Sequence, residues 1–125
     1  MKRALILILI LCAGLFLLGA SRSQSTLWAV VDVDGHLAYG NGAVSSQQLG
    51  ADGTYEVVFD RDVSRCAYVA VGGDYTGDTY SGPDDAITIG VAPRDNNSTA
   101  VFALQYDAVL TRDSYSSGFH LVVNC

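Results

Sequence analysis

Beyond residue 20 this chain never holds a helical period. It alternates apolar and polar side chains in short runs, cut by Gly, Asn, Asp and Ser about every eight to twelve residues. Side chains along an extended strand point to opposite faces in turn, so each run reads as a half-buried strand, and a series of them makes a sandwich or a barrel. Thr54 to Asp60 places Tyr55, Val57 and Phe59 on one face and Thr54, Glu56 and Asp60 on the other. Ala86 to Ala92 groups Ile87, Ile89 and Val91, and Ala100 to Tyr106 groups Ala100, Phe102, Leu104 and Tyr106. The last run groups Phe119, Leu121, Val123 and Cys125. Each of these sets is expected to face inward. Asp34-Gly35 between two such runs predicts a two-residue hairpin, because Gly accepts the positive φ of a type I′ turn. Strands are expected over 27–33, 36–40, 43–49, 53–60, 65–72, 86–92, 99–106 and 118–124.

The first twenty residues are of a different kind. Lys2-Arg3 precedes an uninterrupted apolar stretch, Ala4 to Ala20, that ends in Gly19-Ala20-Ser21. A charged start, an apolar centre and a small-residue end are the parts of an export signal. Residues 1–20 are therefore expected to be a signal helix, either cleaved or kept as an anchor at the lower limit of the ~20 residues that span a bilayer. Residues 21–26 form a polar spacer, and 27–125 is expected to be a single domain in a secreted, periplasmic or cell-surface setting. Cys12 reads as apolar filler within the leader.

Export decides how the other two cysteines are read. Cys66 and Cys125 in an oxidising compartment most simply pair with each other. Without the leader, five arginines face thirteen carboxylates (twelve Asp and Glu56), a balance of −8 with no lysine. Nucleic acid and anionic lipid both demand basic side chains, so neither is an expected partner, and no membrane contact beyond the leader is expected.

Two segments are longer than a turn requires: Gly72 to Asp85 and Asp107 to Ser117. Asp74, Asp78, Asp84 and Asp85 in the first offer carboxylates of the type Ca²⁺ prefers. Their spacing fits no helix–loop–helix calcium register, so a solvated acidic segment is the leading reading and no cofactor is expected. Asp32-Val33-Asp34-Gly35 also looks like the opening of a calcium loop, but a hairpin accounts for it. Tyr75 and Tyr80, with Tyr115 in the second segment, stand among Gly, Ser, Thr and Asp. Tyr supplies large contact area at low entropic cost while small polar neighbours adapt their hydrogen bonds. Asp74, Tyr75, Asp78, Tyr80 and Tyr115 are therefore the candidate ligand-binding residues, for a glycan or a protein surface. His36 and His120 have no metal-ligand spacing and no Gly-x-Ser-x-Gly elbow appears, so catalysis is not expected. A hydrolase built on two of the many Asp is the remaining enzymatic reading. Asn96-Asn97-Ser98-Thr99 contains glycosylation acceptor sequons and serves equally as a polar turn.

The runs Gly53 to Val63, Cys66 to Ala70, Phe119 to Cys125 and Leu27 to Gly35 resemble a group of uncharacterised secreted bacterial modules, themselves similar to the ends of phage tail fibres. Gly53-Thr54-Tyr55 and Ser117-Gly118-Phe119 are distantly similar to complement-type globular heads and tumour-necrosis-factor-like domains. That resemblance implies a jelly-roll sandwich and a homotrimer; it brings no catalytic residue. The expected molecule is an exported antiparallel β-sandwich, jelly-roll-like, of about eight strands and stapled by Cys66 and Cys125. Its expected work is binding through its long segments. The alternative is a structural, self-associating envelope component.

Overall fold

The computed structural model describes residues 25–50, 53–73, 87–107 and 117–125. The leader and most of the spacer lie outside them. So do Asp74, Tyr75, Asp78, Tyr80, Asp84, Asp85 and Tyr115. Among the described residues the chain is all-β, and no helix is long and apolar enough to cross a membrane. The strands are β1 (Thr26–Val31), β2 (Leu37–Asn41), β3 (Ala43–Gln48), β4 (Thr54–Phe59), β5 (Ala67–Gly72), β6 (Ile87–Arg94), β7 (Asn97–Asp107) and β8 (Phe119–Asn124). They form two four-stranded sheets, ordered β2-β1-β8-β5 and β3-β4-β7-β6, with every strand pair antiparallel.

The period-two pattern predicts this layering, and β4 and β8 follow it fully. Tyr55, Val57 and Phe59 of one sheet meet Phe119, Leu121 and Val123 of the other in one core, with Leu27, Ala29 and Val31 of β1 beside them. Tyr55 and Phe119 pack ring against ring at 5.1 Å between centroids, tilted by 59°. Each such fully buried side chain contributes about 1.5–3 kcal/mol through lost water contact. Ile89 and Val91 pack against the edge of this core.

On β7 the expected inward set is wrong for three of its four members. Val101, Ala103 and Gln105 are buried with Ala100, whereas Leu104 and Tyr106 are exposed and Phe102 is only partly covered. Pairing with β4 is the cause. Val57 lies opposite Val101 and Tyr55 opposite Ala103, so the inward parity of β4 is imposed on its neighbour. The larger side chains are sent outward as a result. There Phe102 lies under the Arg94 guanidinium at 5.6 Å, and Arg94 donates to Glu56 at 2.8 Å.

The β1–β2 hairpin also differs from a two-residue type I′ turn. The Gly35 N–H donates to the Asp32 carbonyl and the Asp32 N–H to the His36 carbonyl, both at 3.0 Å. Three residues thus make the connection, with Gly35 at φ 86° as its left-handed member. A Cβ at Gly35 would lie 2.5 Å from the backbone nitrogen of Gln48. Gly42, at φ 74°, turns the chain from β2 in one sheet to β3 in the other, pressed so closely on the core that a Cβ would meet Leu27 Cδ2 at 2.6 Å.

The return from β4 to β5 is held by local polar contacts. Asp62 accepts from the Ser64 N–H at 2.9 Å and its hydroxyl at 2.6 Å, which keeps its carboxyl below the ordinary carboxylate range. The Tyr68 hydroxyl donates to the Val63 carbonyl, and burial, aided by the Asp62 charge, pushes the phenol up.

Cys66 and Cys125 are joined, their Cα atoms 4.5 Å apart. The bridge does not run across the two stacked sheets, as an inward-facing Cys125 would suggest. Ala67 pairs with Asn124, so the bridge continues the β5–β8 ladder within one sheet, and Cys125 itself is exposed. It ties two neighbouring strands whose connection in sequence runs through the opposite sheet.

Candidate functional site

The long segments begin and end on four neighbouring stems. Residues 74–86 leave from Gly73, after β5, and return at Ile87, the start of β6. Residues 108–116 leave from Asp107, the end of β7, and return at Ser117, before β8. The Gly73 N–H donates to the Gly118 carbonyl at 2.9 Å, and Gly72 pairs with Phe119, which joins the two stems in one sheet. Ile87 pairs with Asp107, which joins the two stems in the other. Both segments therefore pass from sheet to sheet at the same end of the fold, side by side at their roots.

Gln105 holds the remaining junction. It is fully buried, the one polar side chain among the described residues that reaches this depth. Its amide donates to the Ser117 carbonyl at 2.9 Å, and its side-chain oxygen accepts from the Ser117 N–H at 2.9 Å. A Gln side chain here stands in for a strand partner: it satisfies both backbone groups of a residue just outside β8. Its own N–H donates to the Gly53 carbonyl at 2.9 Å, drawing the β3–β4 turn to the same end. Reading β7 on its other parity places Gln105 outward, so nothing in the sequence pattern alone draws attention to it. Among the described residues no buried side-chain polar atom lacks a partner.

The Asp32–His36 turn lies at this end too. Val31 pairs with Phe119, and the Tyr55 hydroxyl reaches from the core to donate to the Val33 carbonyl at 3.3 Å. Ligand atoms of Asp32, Asp34 and His36 lie within 4.8 Å of one another. Asp32 Oδ1 is already committed, accepting from the Asp34 N–H at 3.0 Å and the His36 N–H at 2.8 Å. Its other oxygen lies 3.4 Å from His36 Nδ1. These contacts close the turn locally, as Asp side chains commonly do by accepting from backbone N–H groups a few residues on. Tyr55→Phe is expected to keep the buried ring and lose about 0.5–1.5 kcal/mol with the hydroxyl bond, measured by denaturant unfolding.

The sequence-derived candidates Asp74, Tyr75, Asp78, Tyr80 and Tyr115 fall on the segments these stems carry, outside the described residues. The same holds for Asp84 and Asp85 of the calcium reading. In comparisons with known proteins, no family model, no curated protein and no solved structure matches this chain.

Proposed function

We propose that this chain is an exported, non-catalytic recognition module with a jelly-roll-like sandwich, binding a glycan or a protein surface through residues 74–86 and 108–116. One observation carries the reading: the four stems of these segments are hydrogen-bonded neighbours at one end of a shared core. Binding residues placed on connections and held by a rigid scaffold are a general solution to recognition, because the scaffold lowers the entropy that binding must overcome. Tyr75, Tyr80 and Tyr115 are the contact rings in this reading, and Asp74 and Asp78 accept hydrogen bonds from hydroxyls or amides. The disulfide supports the compartment, since such bonds persist where thiols are not kept reduced.

A glycan array and a cross-linking pull-down on envelope extract test the proposal. Retention of a defined glycan or protein, with at least a ~10-fold loss in each of Tyr75→Ser, Tyr80→Ser and Tyr115→Ser, is the expected result, since truncated interface tyrosines often cost more than 1 kcal/mol. Unchanged melting temperatures in the three variants separate lost contact from lost fold. Silence in both assays, or binding indifferent to all three changes, overturns the reading.

A further inference from the structure

The two sheets differ in what they show to water. In β3-β4-β7-β6 the outward Leu104, Tyr106 and Phe102 are mixed with the Glu56–Arg94 pair and with polar side chains from β3. The four strands of β2-β1-β8-β5 contain no Asp, Glu, Lys or Arg at all. Apolar side chains form rows across their outward face, bounded by Thr26 and Asn124 and interrupted by His120. Trp28 lies opposite Val122, which lies opposite Val69; Val30 lies opposite His120, which lies opposite Val71, with Tyr39 beyond Val30. Trp28 is 39% exposed, Val122 42%, Val71 61% and Val69 67%. An antiparallel sheet with one face in water normally alternates inward apolar with outward polar residues, whereas strands apolar on both faces belong to sheets covered on both sides. By that rule β1, β5 and β8 have the composition of strands with a second cover.

We infer that the cover is a second copy of this chain, stacked face to face on the sheet β2-β1-β8-β5 about a two-fold axis. Charge selects the occupant. Without its leader the chain carries −8, and two such bodies repel wherever carboxylates meet. This face is uncharged, with His120 as its one basic side chain, so it is where a like-charged copy approaches without that cost. Area sets the strength of the contact. The exposed parts of Trp28, Tyr39, Val69, Val71 and Val122 amount to roughly 500 Å² per copy, short of the ~800 Å² per partner of a standard interface and in the range of weak, transient ones. A two-fold contact uses the same patch on both sides, and stacked sheets sit ~10 Å apart with their outward side chains interleaved. An area of about 1,000 Å² in total lies below that of stable interfaces, so the dimer is a weak and reversible one.

Trp28 is the only tryptophan of the chain and sits on a central strand of this face, so it reports directly. The experiment uses protein secreted by an exporting host, its mass measured first, followed by sedimentation equilibrium and tryptophan emission over a ~500-fold concentration range. The expected result is a monomer–dimer equilibrium, with emission shifting to shorter wavelength at the same midpoint. Val122→Arg and, separately, Val69→Arg are expected to weaken the dimer at least ~10-fold, because each places two like charges in a small apolar contact. Val69 is mostly exposed, so its variant keeps the test decisive if Val122→Arg fails to fold by circular dichroism. Mixing Val69→Arg with Val69→Asp is expected to restore association.

Three outcomes overturn the inference. One is a monomer with concentration-independent emission. Another is a dimer that survives both arginine variants. The third is a wavelength shift produced only by phosphatidylcholine vesicles, which would make the cover a lipid surface. None of these readouts depends on residues 74–86 or 108–116, so failure here and failure of the recognition reading are distinguishable.

Discussion

Replacing Cys66 and Cys125 together by Ala is expected to lower the unfolding free energy by about 4 kcal/mol. The bridge joins residues 59 apart in sequence, and the chain-entropy argument gives roughly that value for a closed loop of this length. A domain of this size typically has ~5–15 kcal/mol in total, so the loss takes a quarter of it or more. The effect belongs mainly to the unfolded chain. In the folded protein the cysteines only extend a ladder that Ala67 and Asn124 already pair, so the native sheet has little reason to rearrange. Two measurements check this. Denaturant unfolding should show the midpoint falling, with a steeper dependence on denaturant as the freed chain exposes more surface. The core should keep its native near-ultraviolet circular dichroism. A loss below about 1 kcal/mol would mean that the unfolded chain stays compact without the bridge.

Gln105→Leu is expected to cost about 2–4 kcal/mol, a large effect for a substitution that adds an apolar side chain to a core. Leucine fills the site but leaves the Ser117 N–H and carbonyl without their partners, and each stranded backbone group costs about 1–3 kcal/mol when water cannot replace the bond fully. Gln105→Glu tests the same contact through charge. Its oxygen can still accept from the Ser117 N–H, but an ionised carboxylate there is buried and faces the Ser117 carbonyl. Burial favours the neutral acid, so the folded-state pKa of the introduced carboxyl lies above its unfolded value of about 4.3. The variant is thus most stable below that unfolded value, where the acid can donate to Ser117, and loses stability as pH rises through the folded value. Melting temperatures of wild type and both variants across pH 4 to 8 check the sign. Wild-type-like melting of Gln105→Leu would show that the stem at Ser117 stands without Gln105. Under the recognition reading, ligand binding should weaken in Gln105→Leu even where the domain remains folded, because that residue positions the root of residues 108–116.

The strands were legible because short-range chemistry writes them. β4 shows how: Tyr55, Val57 and Phe59 alternate with Thr54, Glu56 and Val58, and only one parity is apolar throughout. β7 shows where this ends. Ala100, Phe102, Leu104 and Tyr106 are apolar, but the alternate set begins with Val101 and Ala103, so neither parity is forbidden by hydrophobicity. A one-residue change of parity exchanges every side chain between core and water, and here the choice came from the register with β4. Gln105 became a core residue by that choice.

The cysteine pair was likewise readable from count and compartment, whereas its place within one sheet was not, because that depends on β5 lying beside β8. Residue order and composition were enough to indicate strands throughout the described residues, an acidic balance and a single bridge, since alternation, charge and cysteine number are properties of residues and their immediate neighbours. Only tertiary structure decided which side of β7 is buried, that the two long segments share one root, and that four uncharged strands, β1, β2, β5 and β8, make up one sheet. Each of those is set by pairing between residues far apart in sequence, and strand partners carry no mark in either strand on its own.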